Sequence, residues 1–385
     1  MKIAYISSPS FFDCDISLIR EFQRKGHEVY WFIKISPYSL KSTCVNIEKQ
    51  IPVHDILPAS EYSEFSIFSS YVDLSYTYII NDCRGKICRD TLRLYRETSR
   101  KIQAINPDIV HFVGNPDLLD ASLFLRFSKK LVVTVHDPIP HSGEFTVRSE
   151  TFKQLLFRRV SRFILLNDTM LDPFCRKYHI DKSNVRCSSL GLYDVINLFG
   201  ERGCSPYSDM PCRYILFFGR ISPYKGLDYL IPAMDNLAES HNDISLVIAG
   251  KGTLPDTVKD RDYLKVINDY ISNGDLVTMI RKALFVVCPY TDATQSGVVS
   301  TVLALGTPMV VTDTGTMGEM VNAFNAGIVV PPSDSQRLAE AMEEMVDKPG
   351  LLGKFRESIS ENRHSGIYSW ERIALDYEGL YKSLR

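Results

Sequence analysis

The 385-residue chain has no apolar run approaching the roughly 20 residues that cross a bilayer, so any membrane contact is expected to be peripheral. Its nine cysteines are odd in number and contain no CxxC pair. Neither a metal-ligand spacing nor a disulfide framework is present, and reduced thiols in a cytoplasmic protein are expected. A net charge of −2 gives no general case for nucleic acid as a partner. No GxGxxG follows the first apolar segment, which argues against NAD or FAD. The first six residues, Met1 to Ile6, are too short for a signal peptide and run straight into polar sequence, so they read as a strand.

A hydrophobic content of 45% and a charged content of 23% describe a globular chain, and its length suggests two domains. The most informative stretch is Tyr214-Ile-Leu-Phe-Phe-Gly-Arg-Ile-Ser-Pro-Tyr-Lys-Gly226, followed by an amphipathic run from Leu227 to Leu237. Five apolar residues read as a buried strand, and the rest as a polar loop opening a helix. Arg220 and Lys225 then lie at the carboxyl end of a parallel strand, where open α/β sheets place ligands. A guanidinium, an ammonium and a helix N-terminus together suit a diphosphate. Two surface cations in an ordinary loop are the plainer reading.

The first half alternates strand and helix. Lys2 to Ile6, a helix from about Asp15 to Lys25, and Glu28 to Ile33 form an opening βαβ unit of a Rossmann-like domain. Residues 34–80 are Ser-, Tyr- and Ile-rich and carry only short strand-like pieces such as Val45 to Ile47. From Arg84 to Ile105 the pattern is helical, with Arg89, Arg93, Arg96 and Arg100 on one face and Leu94, Tyr95, Ile102 and Ile105 on others. That face is either a dock for anionic lipid at the inner side of the cytoplasmic membrane or a solvated stripe partly neutralised by Asp90 and Glu97. Strands follow at Asn106 to Val113, introduced by a turn, and at Leu131 to Val135, with a helix from Pro116 to Phe127 between them. His136 and Asp137 come directly after the second of these strands, where imidazole can bond a hydroxyl or transfer a proton, or serve a structural loop. A helix from Thr151 to Arg162, a strand from Phe163 to Leu166 and a helix from Thr169 to Tyr178 follow. The predicted domain covers 1–198, with a turn-rich linker at 199–212.

The second half repeats the alternation over 213–366. The strand Ile244 to Ala249 ends in Gly250-Lys-Gly252, where glycines could bring backbone amides close to a ligand. The strand Leu284 to Cys288 ends in Pro289-Tyr-Thr-Asp-Ala-Thr-Gln-Ser-Gly297 and an apolar helix to Leu305, so Ser296, Gly297 and Val298 offer free amides. A polar loop from Thr312 to Glu319 follows the next strand. The last helix runs from about Trp370 to Leu384. The fold class implied is α/β, with two Rossmann-like domains facing across a cleft.

In order, these pieces resemble the retaining family-4 glycosyltransferases of the GT-B type, over nearly the whole chain. They are Gly26-His-Glu-Val29, Asp108-Ile-Val-His111, Thr134-Val-His-Asp137, Phe218-Gly-Arg-Ile-Ser-Pro-Tyr-Lys-Gly226, Ala249-Gly-Lys-Gly252, Gln295-Ser-Gly297, Gly306-Thr-Pro-Met-Val-Val311 and Gly315 to Glu319. The resemblance implies an acceptor domain first, a nucleotide-sugar domain second, and a last helix, residues 367–385, that crosses back to the first. It implies that Arg220 and Lys225, beside Gly219, hold the donor diphosphate without a metal, that the backbone at Tyr270 and Ile271 contacts the base, and that His136 lies near the transferred sugar. The family often carries two glutamates separated by seven intervening residues; here Ala293 and Thr301 occupy those positions. Asp292, Gln295 or Glu319 is then expected on the sugar, and the Ser296 and Gly297 amides on the phosphates, a loop variant that leaves the donor base open between UDP and GDP.

The activity implied is transfer of a hexose to a glycan or lipid-linked acceptor in bacterial surface polysaccharide assembly. Two alternatives stand beside it. A sugar-nucleotide 2-epimerase of related fold needs acid and base carboxylates that the sequence does not identify. A catalytically silent glycan-binding scaffold would explain the missing glutamates but not the retained Arg220, Lys225 and His136.

Overall fold

The computed structural model describes residues 1–36, 40, 44–47, 55–82, 87–136, 138, 147–200, 207, 209–293 and 296–384, apart from the side chains of 147–149. It divides into two compact units, Met1–Gly191 with Ile367–Arg385, and Leu192–Gly366. Both are Rossmann-like α/β units built on largely parallel sheets.

The first unit holds β1 (Lys2–Ser7), β2 (Glu28–Ile35), β3 (Asp55–Pro58), β4 (Thr77–Asn81), β5 (Ile109–Val113), β6 (Leu131–Val135), β7 (Arg162–Leu165) and β8 (Val185–Cys187). Their order across the sheet is β3-β4-β2-β1-β5-β6-β7-β8, with β3 alone antiparallel to its neighbour. Every residue of β5 and β6 is buried, as expected of β-branched and aromatic strands covered on both faces. The covering helices include α1 (Phe12–Arg24), α2 (Arg89–Ile105), α3 (Ala121–Arg126), α4 (Val147–Phe157) and α5 (Leu171–Tyr178). Ile6, Val110, Phe124, Val133, Phe163 and Phe174 form the centre of the core.

Three local expectations change. The helix predicted over 151–162 runs instead over Val147–Phe157, leaving Arg158 and Arg159 in a turn and Arg162 at the start of β7. The Ser161 amide has bonded the Leu131 carbonyl at 3.0 Å, which draws the chain into the sheet before another helical turn can form. The helix predicted over 116–127 starts with a 3₁₀ turn because Asp117 accepts the Leu119 and Asp120 amides, and α3 follows at Ala121. Within 34–80, β3 and β4 are joined through 3₁₀ turns at Ala59–Glu61 and Ser63–Ser70. The serines there bond their own backbone, Ser66 to the Ser63 carbonyl at 2.7 Å and Ser69 to Ser66 at 2.8 Å, while Phe65 and Phe68 are buried.

The C-terminal helix, Trp370–Lys382, belongs to the first unit and packs on α1. Ser369 caps it through the Arg372 amide, and Trp370 fills the space a side chain at Gly191 would need. Tyr381 bonds the buried His111 Nδ1 at 2.6 Å, and Thr134 Oγ1 lies 2.9 Å from its Nε2. His111 is therefore a core histidine, pushed down to about 3 by burial and neutral throughout the physiological range.

The second unit holds β9 (Tyr214–Phe218), β10 (Ser245–Ala249), β11 (Leu264–Ile267), β12 (Val286–Cys288), β13 (Met309–Thr312) and β14 (Gly327–Val330), all parallel, in the order β11-β10-β9-β12-β13-β14. Its helices are α6 (Leu227–Ser240), α7 (Asn273–Lys282), α8 (Gly297–Ala304), α9 (Met317–Ala323), α10 (Ser335–Asp347) and α11 (Leu351–Asn362). The core layer of Phe217, Leu230, Met234, Ile248, Val310 and Met342 is fully buried. The unit begins at Leu192, so residues 192–198, predicted with the first half, lie here. Side-chain bonds explain the shift: Asn197 donates to the Ala304 carbonyl at 3.1 Å and accepts from Arg281 at 2.9 Å. Among the described residues no helix is long and apolar enough to cross a membrane.

Candidate functional site

The loop after β9 is held by its neighbours before any ligand is considered. Gly226 has φ +73° and caps α6, and a Cβ there would collide with the Pro289 carbonyl oxygen, so two independent constraints demand glycine. The Thr291 amide donates to the Tyr224 carbonyl at 2.8 Å, tying the β9–α6 loop to the β12–α8 loop. The β10–β11 loop is stitched to the same place. Gly219 N–H bonds the Ala249 carbonyl and Ile221 N–H the Lys251 carbonyl, both at 3.0 Å.

This stitching gives Gly250 and Gly252 a different purpose from the one expected. Cβ atoms there would strike the Gly219 and Ile221 carbonyl oxygens. Their amides are already used, Gly250 on the Ile267 carbonyl at 2.9 Å and Gly252 on Asn268 Oδ1 at 3.0 Å. The two glycines let one loop press on another; their amides do not face a ligand.

Arg220 is exposed at the end of β9, while Lys225, five residues on, is only 7% exposed. The Lys225 ammonium donates to the Tyr290 hydroxyl and lies 3.8 Å from the centre of that ring. Burial pushes Lys225 down to about 8, with the nearby Arg220 charge acting in the same direction. It is still mostly charged at neutral pH.

Ser296 is buried at the N-cap of α8, and the Val298 side chain lies beside Gly219, so the start of α8 adjoins the Arg220–Lys225 loop. Gly297 lies against the Tyr193 ring, a neighbour that no local sequence pattern announces. Asp292 and Glu319 are exposed, the latter in the first turn of α9. Thr294 and Gln295 lie outside the described residues. At the two positions where the resemblance leads one to look for acids, Ala293 is half-buried and Thr301 turns its hydroxyl back to the Gly297 carbonyl at 2.8 Å. Tyr270 is exposed, its amide taken by Asp269 Oδ1 at 2.7 Å, and Ile271 is buried just before α7. The second unit thus brings Gly219, Arg220, Lys225, Ser296, Gly297 and Val298 into adjoining loops at one end of its sheet.

In the first unit, His136 follows β6, and Asp137 lies outside the described residues. The imidazole stacks on Phe11, ring centres 4.3 Å apart and 26° from parallel. Phe11 comes from the turn between β1 and α1 and presses on Gly114 after β5, so three strand ends fix the ring. Burial pushes His136 down to about 4, leaving it neutral at physiological pH. Arg89, Arg93, Arg96 and Arg100 are all exposed on α2, with Leu94, Tyr95 and Ile102 buried on its other side; Leu92, 49% exposed, adds an apolar side chain to the outer face.

A grouping with metal-ligand chemistry among the described residues is His241, Glu343 and Asp347. It sits past the carboxyl end of α6 and on α10, away from the loops that follow the strands, and His241 Nε2 lies 3.1 Å from an Asp347 carboxylate oxygen.

Comparison with known proteins agrees with this layout. Residues 16–191 match the model of Glycosyltransferase Family 4, and residues 208–365 that of Glycosyl transferases group 1. An uncharacterized glycosyltransferase of Methanocaldococcus jannaschii is 34% identical over 179 residues, 44% of this chain and 45% of that protein. The alpha-D-kanosaminyltransferase of Streptomyces kanamyceticus is 29% identical over 180 residues, again 44% and 45%. The chain thus spans about half the length of these two relatives. The crystal structure of Anabaena HepE in complex with UDP matches with a TM-score of 0.66 over 100% of both chains at 15% identity, a likeness of fold. Two Rossmann-like units, each under its own half of the family's signature, lead to one conclusion: the chain belongs to the family-4 glycosyltransferases of GT-B fold.

Proposed function

We propose that this protein is a retaining glycosyltransferase that moves a hexose from a UDP- or GDP-sugar to a glycan or lipid-linked acceptor in bacterial surface polysaccharide assembly. The observation that carries the reading is the pairing of exposed Arg220 with buried Lys225 in one loop at the start of α6, beside the start of α8. In this reading the two cations and the helix termini hold the donor diphosphate and stabilise it as it leaves, each charge-assisted contact contributing about 1.5–3 kcal/mol. The residues suit the task without a metal ion, because guanidinium and ammonium supply positive charge that offsets the negative charge developing on the leaving group. The departing phosphate accepts the acceptor's proton on the same face of the sugar. His136, neutral and held by Phe11, hydrogen-bonds a hydroxyl of the transferred sugar. Tyr270 and Ile271 contact the base, and Asp292, Gln295 or Glu319 replaces the missing acids.

Purified protein incubated with a panel of sugar nucleotides is expected to hydrolyse one UDP- or GDP-sugar slowly and to transfer it faster when an acceptor is added. No binding and no turnover of any of them would overturn the reading. The exposed arginines of α2, with Leu92 among them, support contact with anionic lipid at the inner face of the cytoplasmic membrane. Sedimentation with anionic vesicles should weaken when Arg93 and Arg96 become Glu; unchanged binding would refute that part.

A further inference from the structure

We infer that Tyr290 is the positioning residue for Lys225, its hydroxyl and ring holding the ammonium at the loop where the donor diphosphate binds. The inference rests on the functional reading above and extends it to a residue outside the loop that carries the cations.

Tyr290 follows β12 and is 1% exposed. Its carbonyl accepts the Thr312 hydroxyl at 2.6 Å, its successor's amide bonds Tyr224, and its predecessor's carbonyl closes on Gly226. With both loops fixed, the Lys225 ammonium meets the hydroxyl and ring of Tyr290. A free lysine spreads over many rotamers, and ordering it at the moment of binding weakens affinity. Here the ordering is done by the fold.

The choice of a tyrosine matters. Burial shifts Lys225 most, and neither of the charges that add to it, on Cys288 and Arg220, is a carboxylate. A carboxylate would neutralise the ammonium and compete with the diphosphate. A phenol holds it through one hydrogen bond and the negative face of its ring without cancelling its charge. Burial pushes the Tyr290 hydroxyl well up, so it stays neutral. Cys288 is itself pushed up to about 11 by burial. Tyr224, its ring centre 5.4 Å from the ammonium, is the other aromatic neighbour.

The test is calorimetric binding of UDP, GDP and pyrophosphate to the full chain between about pH 6.5 and 9.5, for wild type, Tyr290→Phe, Tyr290→Leu, Lys225→Ala and the Lys225→Ala/Tyr290→Leu double variant. Wild-type affinity should fall as pH rises through the value near 8 at which Lys225 loses its proton. Tyr290→Phe keeps the ring and should bind about 3- to 10-fold more weakly. Tyr290→Leu should bind about 10- to 100-fold more weakly, with the alkaline fall beginning at lower pH, because the group favouring the charged form is gone. In the Lys225→Ala background Tyr290→Leu should cost nothing further, which a general loosening of the unit would not reproduce. Wild-type affinity and an unmoved pH profile in both Tyr290 variants would overturn the inference, as would a full additional loss in the double variant. If Tyr290→Leu does not fold, Tyr290→Phe decides alone, with unchanged affinity counting against. If wild type binds none of the three ligands, the functional reading fails and the inference with it.

Discussion

Burial acts on both units' candidate residues and leaves them in opposite states. His136 and Lys225 each sit in a loop after a parallel strand, each touching an aromatic ring, and burial lowers the pKa of both. An imidazole starts at 6.5 and ends about 4, so it is neutral. An ammonium starts at 10.5 and ends about 8, so it keeps its charge at neutral pH. One environment therefore supplies an uncharged hydrogen-bonding group in the first unit and a cation in the second. The rings differ in kind as well. Phe11 offers only a face, while Tyr290 adds a hydroxyl that an ammonium can donate to.

Removing the cation should have the largest effect. Lys225→Ala should lower donor turnover by about 100- to 1,000-fold with the melting temperature close to wild type, combining a lost charge-assisted contact with lost stabilisation of the leaving group. Turnover within a few-fold of wild type would remove Lys225 from the site.

Next comes the backbone that makes the second unit's arrangement possible. Gly226→Ala must either displace Pro289 or abandon the left-handed conformation, and should destabilise the unit by about 2 kcal/mol or more in denaturant unfolding. A loss under about 0.5 kcal/mol would mean the two loops are not braced as described.

The comparison is sharpened by acid. His136 titrates near 6.5 when unfolded and about 4 when folded, so below pH 6.5 the unfolded chain binds more protons. Its contribution to stability is fully present above that pH and is lost as pH falls through 6.5 toward 4. His136→Gln should flatten that part of the stability profile, while its effect on turnover at pH 7 should be about 10- to 100-fold and independent of pH between 6 and 8. An acid limb of turnover near 6.5 that His136→Gln abolishes would show that the imidazole is not neutral.

The smallest effect expected is that of Phe11→Leu, which removes the stack but keeps the bulk. It should lower turnover by several-fold, about 1 kcal/mol, through a weaker hold of His136 on the transferred sugar. Turnover and donor affinity both at wild-type values would show that the stack does not hold His136.

Much of this arrangement was legible in the sequence because the relevant signals are local. Tyr214 to Phe218 is apolar, Gly219 breaks it, and an amphipathic period follows, so a strand-loop-helix and its two cations could be read from one window. The same holds for β6 and His136. What could not be read was whatever depends on distant partners. Tyr290 lies 65 residues from Lys225, and nothing in either segment announces the other. Gly250 looked like a ligand-facing glycine because the Gly219 carbonyl that fills its space belongs to another loop. Residues 192–198 lack periodicity, and it is contacts with distant helices, Asn197 with α8 and α7 and Tyr193 with the start of α8, that assign them to the second unit. The serine-rich turns of 59–70 imitate disordered composition, although Phe65 and Phe68 anchor them in the core.

A donor diphosphate meets the buried Lys225 ammonium first of all. Calorimetry of UDP or GDP binding at pH 8, in buffers of different ionisation enthalpy, reads this directly as protons taken up. Because Lys225 sits at about 8, binding should draw in up to about half a proton per site in wild type and none in Lys225→Ala. Tight binding of the nucleotide with no proton uptake at pH 8, or the same uptake in the alanine variant, would contradict the account.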